Sequence, residues 1–247
     1  MEHFIALKSL MVYHSKAENI FCLNEMDRQQ VNLELQDIDL YAMHDIICLF
    51  VGPKNSFALR NLTRLKIVQC EILEIVFSTS ILRCLTQLVY LRIEDCKELK
   101  HIIKDDMQNQ NSSNSLSSRT SFPNLKTLVV VNCNKLKCVF PVSVYKELPA
   151  LKAMMIIEAD ELEEIFNSEN DQKVEIPNLS FLVLDQLPSI FHVQGIQFQA
   201  VKNRFVQDCP KLSLTSTSTP TDIFDIYRIC PGMHLPIFFK TIACWFQ

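Results

Sequence analysis

One pattern recurs along this 247-residue chain and constrains its fold more than any other feature. Leu62-Thr-Arg-Leu65-Lys-Ile67-Val-Gln-Cys70-Glu-Ile-Leu73-Glu-Ile-Val76-Phe77 sets it. The segments beginning at Leu88, Leu125, Leu151 and Leu179 repeat it, and a weaker copy begins at Val201. Starting positions 62, 88, 125, 151, 179 and 201 are spaced by 26, 37, 26, 28 and 22 residues. Most of these spacings fall in the range of about 20–29 residues that builds solenoids of stacked strand-and-return units. Two degenerate copies precede them, Leu7-Lys-Ser-Leu10-Met-Val12 and Leu33-Glu-Leu35-Gln-Asp-Ile38.

The physical reading is direct. Side chains alternate faces along a strand, so in L-x-x-L-x-I residues such as Leu65 and Ile67 point inward and Lys66 points out. The small Cys70, Cys96, Cys133, Ala159 or Cys209 that follows suits a tight corner turning into the core. Later apolar residues, such as Leu73 and Val76, line the return path. One unit cannot bury this set alone, whereas stacking aligns equivalent residues into ladders and pairs the strands in parallel. The expected fold is therefore an α/β leucine-rich-repeat solenoid, with a parallel sheet on the concave face and an irregular or short helical convex side. Arg204 replaces the usual Leu or Met, and looser packing is expected there.

The expected organisation has three parts: degenerate repeats over 1–56, the solenoid over 57–214, and a divergent C-terminal tail over 215–247. The 37-residue spacing has a visible cause in residues 105–121, which are polar and nearly free of apolar side chains. Such a segment lacks the apolar surface to pack and is expected to be a disordered insertion. Residues 167–173 are expected to loop out similarly. In the tail, Leu235–Phe246 is apolar but shorter than a membrane span; it is expected to cap the last repeat or to form a divergent end.

Composition narrows the function. A net charge of −4 argues against a nucleic-acid binder, which normally carries a basic stripe. The three glycines (Gly52, Gly195 and Gly232) are too far apart to form a phosphate loop. The ten cysteines include no C-x-x-C, and Cys133 and Cys138 have no matching His pair for zinc. The six histidines form no H-E-x-x-H, and no G-x-S-x-G occurs. No enzyme activity, cofactor or metal is expected. The acidic start, with no sustained apolar run, is a poor signal peptide. A cytoplasmic, thiol-reducing location is the expectation. Cys244-Trp245-Phe246-Gln247 formally fits a prenylation motif, without the basic residues that usually support one.

The unit L-x-x-L-x-I-x-x-C-x-x-L-x-x-I-F resembles the C-terminal repeats of plant nucleotide-binding leucine-rich-repeat disease-resistance proteins of the coiled-coil class. Phe122-Pro123-Asn124-Leu125 and Ile176-Pro177-Asn178-Leu179 resemble their repeat start. Cys96-Lys97-Glu98-Leu99 and Cys133-Asn134-Lys135-Leu136 resemble their post-strand turn. The resemblance covers residues 57–212 well and 4–50 loosely. It implies a protein-recognition module that senses a pathogen effector or a guarded host protein and restrains a nucleotide-binding switch. That switch motif is missing from this sequence, so the chain is read as a fragment or a truncated member. The other reading is a leucine-rich-repeat substrate receptor of a ubiquitin ligase, or a stand-alone adaptor. Such receptors also place Cys after the strand, but continue with a Thr-Asp-rich turn and a helix rather than x-x-L-x-x-I-F.

Binding in either case is expected on outward strand residues, the concave face. By register these are Lys66 and Val68, Arg92 and Glu94, Val129 and Val131, Met155 and Ile157, Val183 and Asp185, and Phe205 with Gln207. Charge marks the first two repeats. Val129, Val131, Met155, Ile157 and Val183 are expected to form a contiguous apolar patch. Large exposed patches of this kind usually mark partner sites, unless the tail or another domain covers them.

Overall fold

The computed structural model describes residues 6–23, 30–53, 55–82, 84–104, 122–140, 148–166, 176–191 and 198–217. The regions 105–121 and 167–173, and the tail from 218 onward with its terminal Cys244 motif, lie outside the described residues.

The repeat becomes a solenoid because each L-x-x-L-x-I segment forms one five-residue strand in the same register. Strands β1 (Ser9–Tyr13), β4 (Asp37–Tyr41), β7 (Arg64–Val68), β9 (Tyr90–Glu94), β11 (Thr127–Val131), β13 (Ala153–Ile157), β15 (Phe181–Asp185) and β16 (Asn203–Gln207) make one parallel eight-stranded sheet in that order. Leu10, Ile38, Leu65, Leu91, Leu128, Met154, Leu182 and Arg204 form one inward ladder across it. Val12, Leu40, Ile67, Ile93, Val130, Ile156, Leu184 and Val206 form the next. From β4 to β15 all of these are buried. The two early copies thus join the same sheet. In the second, Leu35 rather than Leu33 occupies the position of Leu62, because Ile38 pairs with Leu65.

The opposite side is more regular than the irregular or short helical path expected. The return segments form a second parallel sheet from β2 (Asn19–Cys22), β5 (Cys48–Val51), β8 (Ile75–Ser78), β10 (His101–Lys104), β12 (Cys138–Phe140) and β14 (Glu164–Phe166). Short strands β3 (Val31–Asn32) and β6 (Phe57–Ala58) pair separately. Helix among the described residues is limited to α1 (Thr79–Leu82) and a 3-10 turn at Phe198–Ala200. The physical cause lies in the I-F and V-F pairs at the repeat ends. Their β-branched residues favour extended backbone, and their phenylalanines stack between repeats. Phe21 and Phe50 lie 5.1 Å apart, Phe50 and Phe77 6.4 Å, and Phe140 and Phe166 5.4 Å, all nearly parallel.

Each corner after a first-sheet strand uses a residue in the left-handed region: His14, Ala42, Gln69, Asp95, Asn132, Glu158, Gln186 and Asp208, with φ between 48° and 56°. That conformation costs a non-glycine residue about 1–2 kcal/mol. It turns the N–H toward the next repeat. Gln69 N donates to Glu94 O (2.9 Å), Asp95 N to Val131 O (3.0 Å), Asn132 N to Ile157 O (2.9 Å) and Glu158 N to Asp185 O (3.0 Å). The strain is therefore tied to an inter-repeat hydrogen bond worth about 1 kcal/mol. The next residue points inward. Cys70, Cys96 and Cys133 are fully buried, and Cys96 and Cys133 donate their thiols to the strand carbonyls two residues earlier at 3.4 Å. Burial pushes the Cys133 thiol up to about 12 and that of Cys209 up to about 11, which leaves both unreactive at neutral pH. These cysteines are core corners, as the repeat position implied.

The other motif position also has a mechanical role. Asn124 Nδ2 donates to Thr86 O (2.7 Å) and Asn178 Nδ2 to Pro149 O (2.6 Å). The Asn of each Pro-Asn-Leu start thus ties its repeat to the one before. At the far end, Arg204 is not loosely packed. It is buried, and its guanidinium donates to Thr215 O (2.5 Å), Phe198 O (3.1 Å) and Val201 O (3.3 Å). A cation fits this ladder position because main-chain carbonyls converge on it, and a guanidinium presents several donors at once.

Candidate functional site

The first sheet presents three outward positions per strand, giving three rows across eight repeats. The first row runs Ser9, Asp37, Arg64, Tyr90, Thr127, Ala153, Phe181 and Asn203. The middle row runs Met11, Asp39, Lys66, Arg92, Val129, Met155, Val183 and Phe205. The third runs Tyr13, Tyr41, Val68, Glu94, Val131, Ile157, Asp185 and Gln207. The sequence-predicted residues fill the middle and third rows from β7 onward, and the structure brings them side by side on one face. Sequence reasoning missed the whole first row and the contributions of β1 and β4. Extending the strand alternation one residue upstream, to Arg64 and Tyr90, is the signal that finds the first row.

The face divides into two chemistries. Over β1, β4 and β7 it is aromatic and charged. Met11 and Tyr13 are about half exposed, and Tyr13 stacks on Tyr41 with ring centres 4.9 Å apart. Lys66 Nζ donates to Tyr41 Oη (2.7 Å) and lies 5.3 Å from that ring's centre. Arg64 donates from Nε to Asp37 Oδ1 (3.1 Å) and from Nη2 to Asp39 Oδ2 (3.0 Å). This network holds planar and cationic groups in fixed positions, with Asp39 and Lys66 themselves buried in the middle row.

At β9 the character changes. Arg92 and Glu94, two residues apart on one strand, form a buried ion pair, with Arg92 Nε donating to Glu94 Oε2 at 2.8 Å. The carboxylate raises the Arg92 guanidinium further above its ordinary range, against the opposing effect of burial. Removing one partner from such a pair costs about 3–5 kcal/mol because the other charge is left stranded.

From β9 to β16 the face is mainly apolar around that ion pair. Tyr90, Val129, Val131, Ala153, Met155, Ile157, Val183 and Phe205 form one cluster, separate from the core, with Phe181 at its margin. The patch is contiguous, as expected. It is not solvent-exposed: Val129, Met155 and Val183 are each 3% exposed or less. Asp185 closes the patch in the third row. Its Oδ1 is buried without a hydrogen-bond partner among the described residues. Burial, with repulsion from Asp208 and Glu158, pushes its carboxyl up to about 7. Among the described residues no group of His, Cys, Asp or Glu is arranged to hold a metal, and no helix is long and apolar enough to cross a membrane.

The family model for leucine-rich repeats of the plant disease resistance protein RPS2-like type matches residues 1–97 and 97–222. No curated protein and no solved structure matches. Taken with the in-phase ladders and the Cys corners, a match spanning all eight strands of the first sheet leads to one conclusion: the chain belongs to the plant disease resistance RPS2-like leucine-rich-repeat family.

Proposed function

We propose that this chain is the protein-recognition module of a plant intracellular immune receptor, binding a pathogen effector or a guarded host protein through its concave face. The observation that carries this reading is the eight-stranded face itself, whose three outward rows stand outside the core while every inward ladder serves packing. A continuous surface of mixed chemistry on a stiff scaffold suits a protein partner, since recognition of an extended surface needs many fixed contacts and little reorganisation. Lys66, Val68, Arg92, Glu94, Val129, Val131, Met155, Ile157, Val183, Asp185 and Phe205 are the proposed contact set, with Arg64, Tyr13 and Tyr41 added by the structure. In a longer chain the same surface would also dock on and restrain a nucleotide-binding switch domain in the cytoplasm.

The test is comparative cross-linking in a plant-cell extract. The unaltered chain, an Arg64→Ala/Tyr41→Ala variant on the concave face and a Lys97→Ala/Lys135→Ala variant at the turns are compared by quantitative mass spectrometry. Partners lost only from the concave variant support the reading. An identical partner set for all three overturns it.

A further inference from the structure

The two ends of the eight-stranded sheet are finished differently. Alternate residues of a strand aim their N–H and C=O groups at the same neighbour. On β16 the set facing away from the sheet is Arg204 and Val206, since Gln207 O accepts from Gln186 N on the inner side. The chain itself takes that set. Thr217 N donates to Arg204 O (2.7 Å), Arg204 N donates to Thr217 Oγ1 (3.1 Å), and Ser216 Oγ lies 2.8 Å from both Val206 N and Val206 O. On β1 the set facing away is Ser9, Met11 and Tyr13, since Asp37 N donates to Lys8 O (3.2 Å) and His14 N to Tyr41 O (3.1 Å). Among the described residues β1 pairs with β4 alone.

The core is also open at the β1 end. Leu10 and Val12 belong to the two inward ladders but are only partly buried, whereas their counterparts from β4 to β15 are buried. Ile20 on β2 is partly buried as well, and β2 is the last strand of the second sheet. Neither strand defends its edge. Ser-Leu-Met-Val-Tyr and Asn-Ile-Phe-Cys hold no charge and no proline, the devices that ordinarily blunt a sheet edge.

Whatever docks here has to continue both ladders and meet the ends of both sheets at once. A body with the same two-sheet cross-section does so, and the β1 end of another copy of this chain has that cross-section. The β16 edge is occupied by Ser216 and Thr217, so a head-to-tail stack is closed off and a two-fold contact is left. Antiparallel pairing of β1 with β1 is self-complementary. Centred on Met11, it sets Met11 against Met11 and Tyr13 against the small Ser9, all residues whose N–H and C=O groups face the partner strand. Leu10 then lies opposite Val12 on the inner side, so an apolar residue continues each ladder. The nearest charge, Lys8, falls opposite His14 and not opposite its own copy. We propose that two copies of this chain join end to end through antiparallel β1 pairing, giving one continuous concave sheet and a core closed at its middle. This pairing is independent of what the concave face binds.

Sedimentation equilibrium of the full chain over a range of concentrations provides the test. A monomer–dimer equilibrium is expected, with a limiting mass twice the 28.6 kDa of one chain. Met11 is 53% exposed, so replacing it leaves the fold intact, which circular dichroism checks. Met11→Lys alone and Met11→Glu alone each set like charges face to face and are expected to weaken the dimer by roughly fivefold or more. An equimolar mixture of the two variants is expected to restore it as a mixed dimer. Lys202→Glu, beside the closed edge, should leave the equilibrium unchanged. A chain that stays monomeric, one that grows beyond a dimer, or a dimer indifferent to Met11→Lys overturns the idea. So does a mixture that fails to restore pairing, or a dimer lost on Lys202→Glu.

Discussion

The two halves of the concave face share a backbone but not a chemistry. Strands β1, β4 and β7 carry Asp37, Asp39, Arg64, Lys66, Tyr13 and Tyr41, joined by hydrogen bonds and ring stacking. Strands β11, β13 and β15 carry Val129, Val131, Ala153, Met155, Ile157 and Val183 in the same rows, all buried. Identical strand geometry therefore supports a polar network with exposed margins at one end and a second apolar cluster at the other. The repeat dictates only that these positions leave the core. What they then meet depends on side-chain chemistry and on what lies over them.

The largest effect that sharpens this contrast comes from one charge placed in each half. Val129→Asp is expected to destabilise the chain by about 3–5 kcal/mol, the cost of an uncompensated buried charge. Tyr13→Asp, at a half-exposed position, should stay within about 0.5 kcal/mol. Urea midpoints of the two variants measure the difference, and comparable losses would erase the distinction between the halves.

Next is Asp185, the acid at the border of the buried apolar cluster. Its folded-state pKa of about 7 lies above the ordinary value of 3.8, so the folded chain holds a proton that the unfolded chain releases. The stability this contributes is full below about pH 4 and is lost as pH rises through 7. Asp185→Asn is expected to recover on the order of 3 kcal/mol at pH 8 and to flatten stability between pH 5 and 8. Denaturation at the two pH values checks it, and an unaltered chain already flat over that window would remove Asp185 as the cause.

A smaller gain is expected at the left-handed corner beside it. Glu158 holds φ at 54°, and burial with repulsion from Asp95 and Asp160 raises its carboxyl above the usual range. Asn132 occupies the equivalent corner one repeat earlier. Glu158→Asn should stabilise by about 1 kcal/mol, because asparagine tolerates this backbone region and removes the charge. A thermal midpoint that falls would show that the Glu158 side chain contributes more than its strain costs.

The smallest effect belongs to the open half. Arg64→Ala removes two ion pairs, but Arg64 is about one-third exposed, so a loss of only about 0.2–1 kcal/mol is expected, shrinking as salt is added. A larger, salt-independent loss would mean that the polar half is as tightly packed as the apolar one.

Much of this architecture was legible in the residues. The alternation Leu65-Lys66-Ile67 assigns faces locally, and the Cys or Ala two residues beyond Val68, Glu94, Val131 and Ile157 marks the corner. The early copies were harder to place, because Leu33 and Leu35 both satisfy the pattern and only the pairing of Ile38 with Leu65 chooses Leu35. The second sheet was not legible. Three- and four-residue extended runs such as Cys138–Phe140 carry no period long enough to separate strand from irregular return, and they become strands by pairing with the repeat beside them. Arg204 misled for a related reason: a cation in a leucine ladder reads as a defect until the carbonyls of Phe198, Val201 and Thr215 are seen around it.

By itself, then, the sequence determined the ladder, the corners and, from β7 onward, the middle and third rows of the concave face, because these follow from the two-residue alternation of a strand and the fixed length of a repeat. The tertiary structure alone decided that Val129 is buried while Met11 is open, and that Asp185 holds its proton near neutrality. Exposure and local charge are properties of what surrounds a side chain in space. Residues distant in sequence supply those surroundings, and no local pattern encodes them.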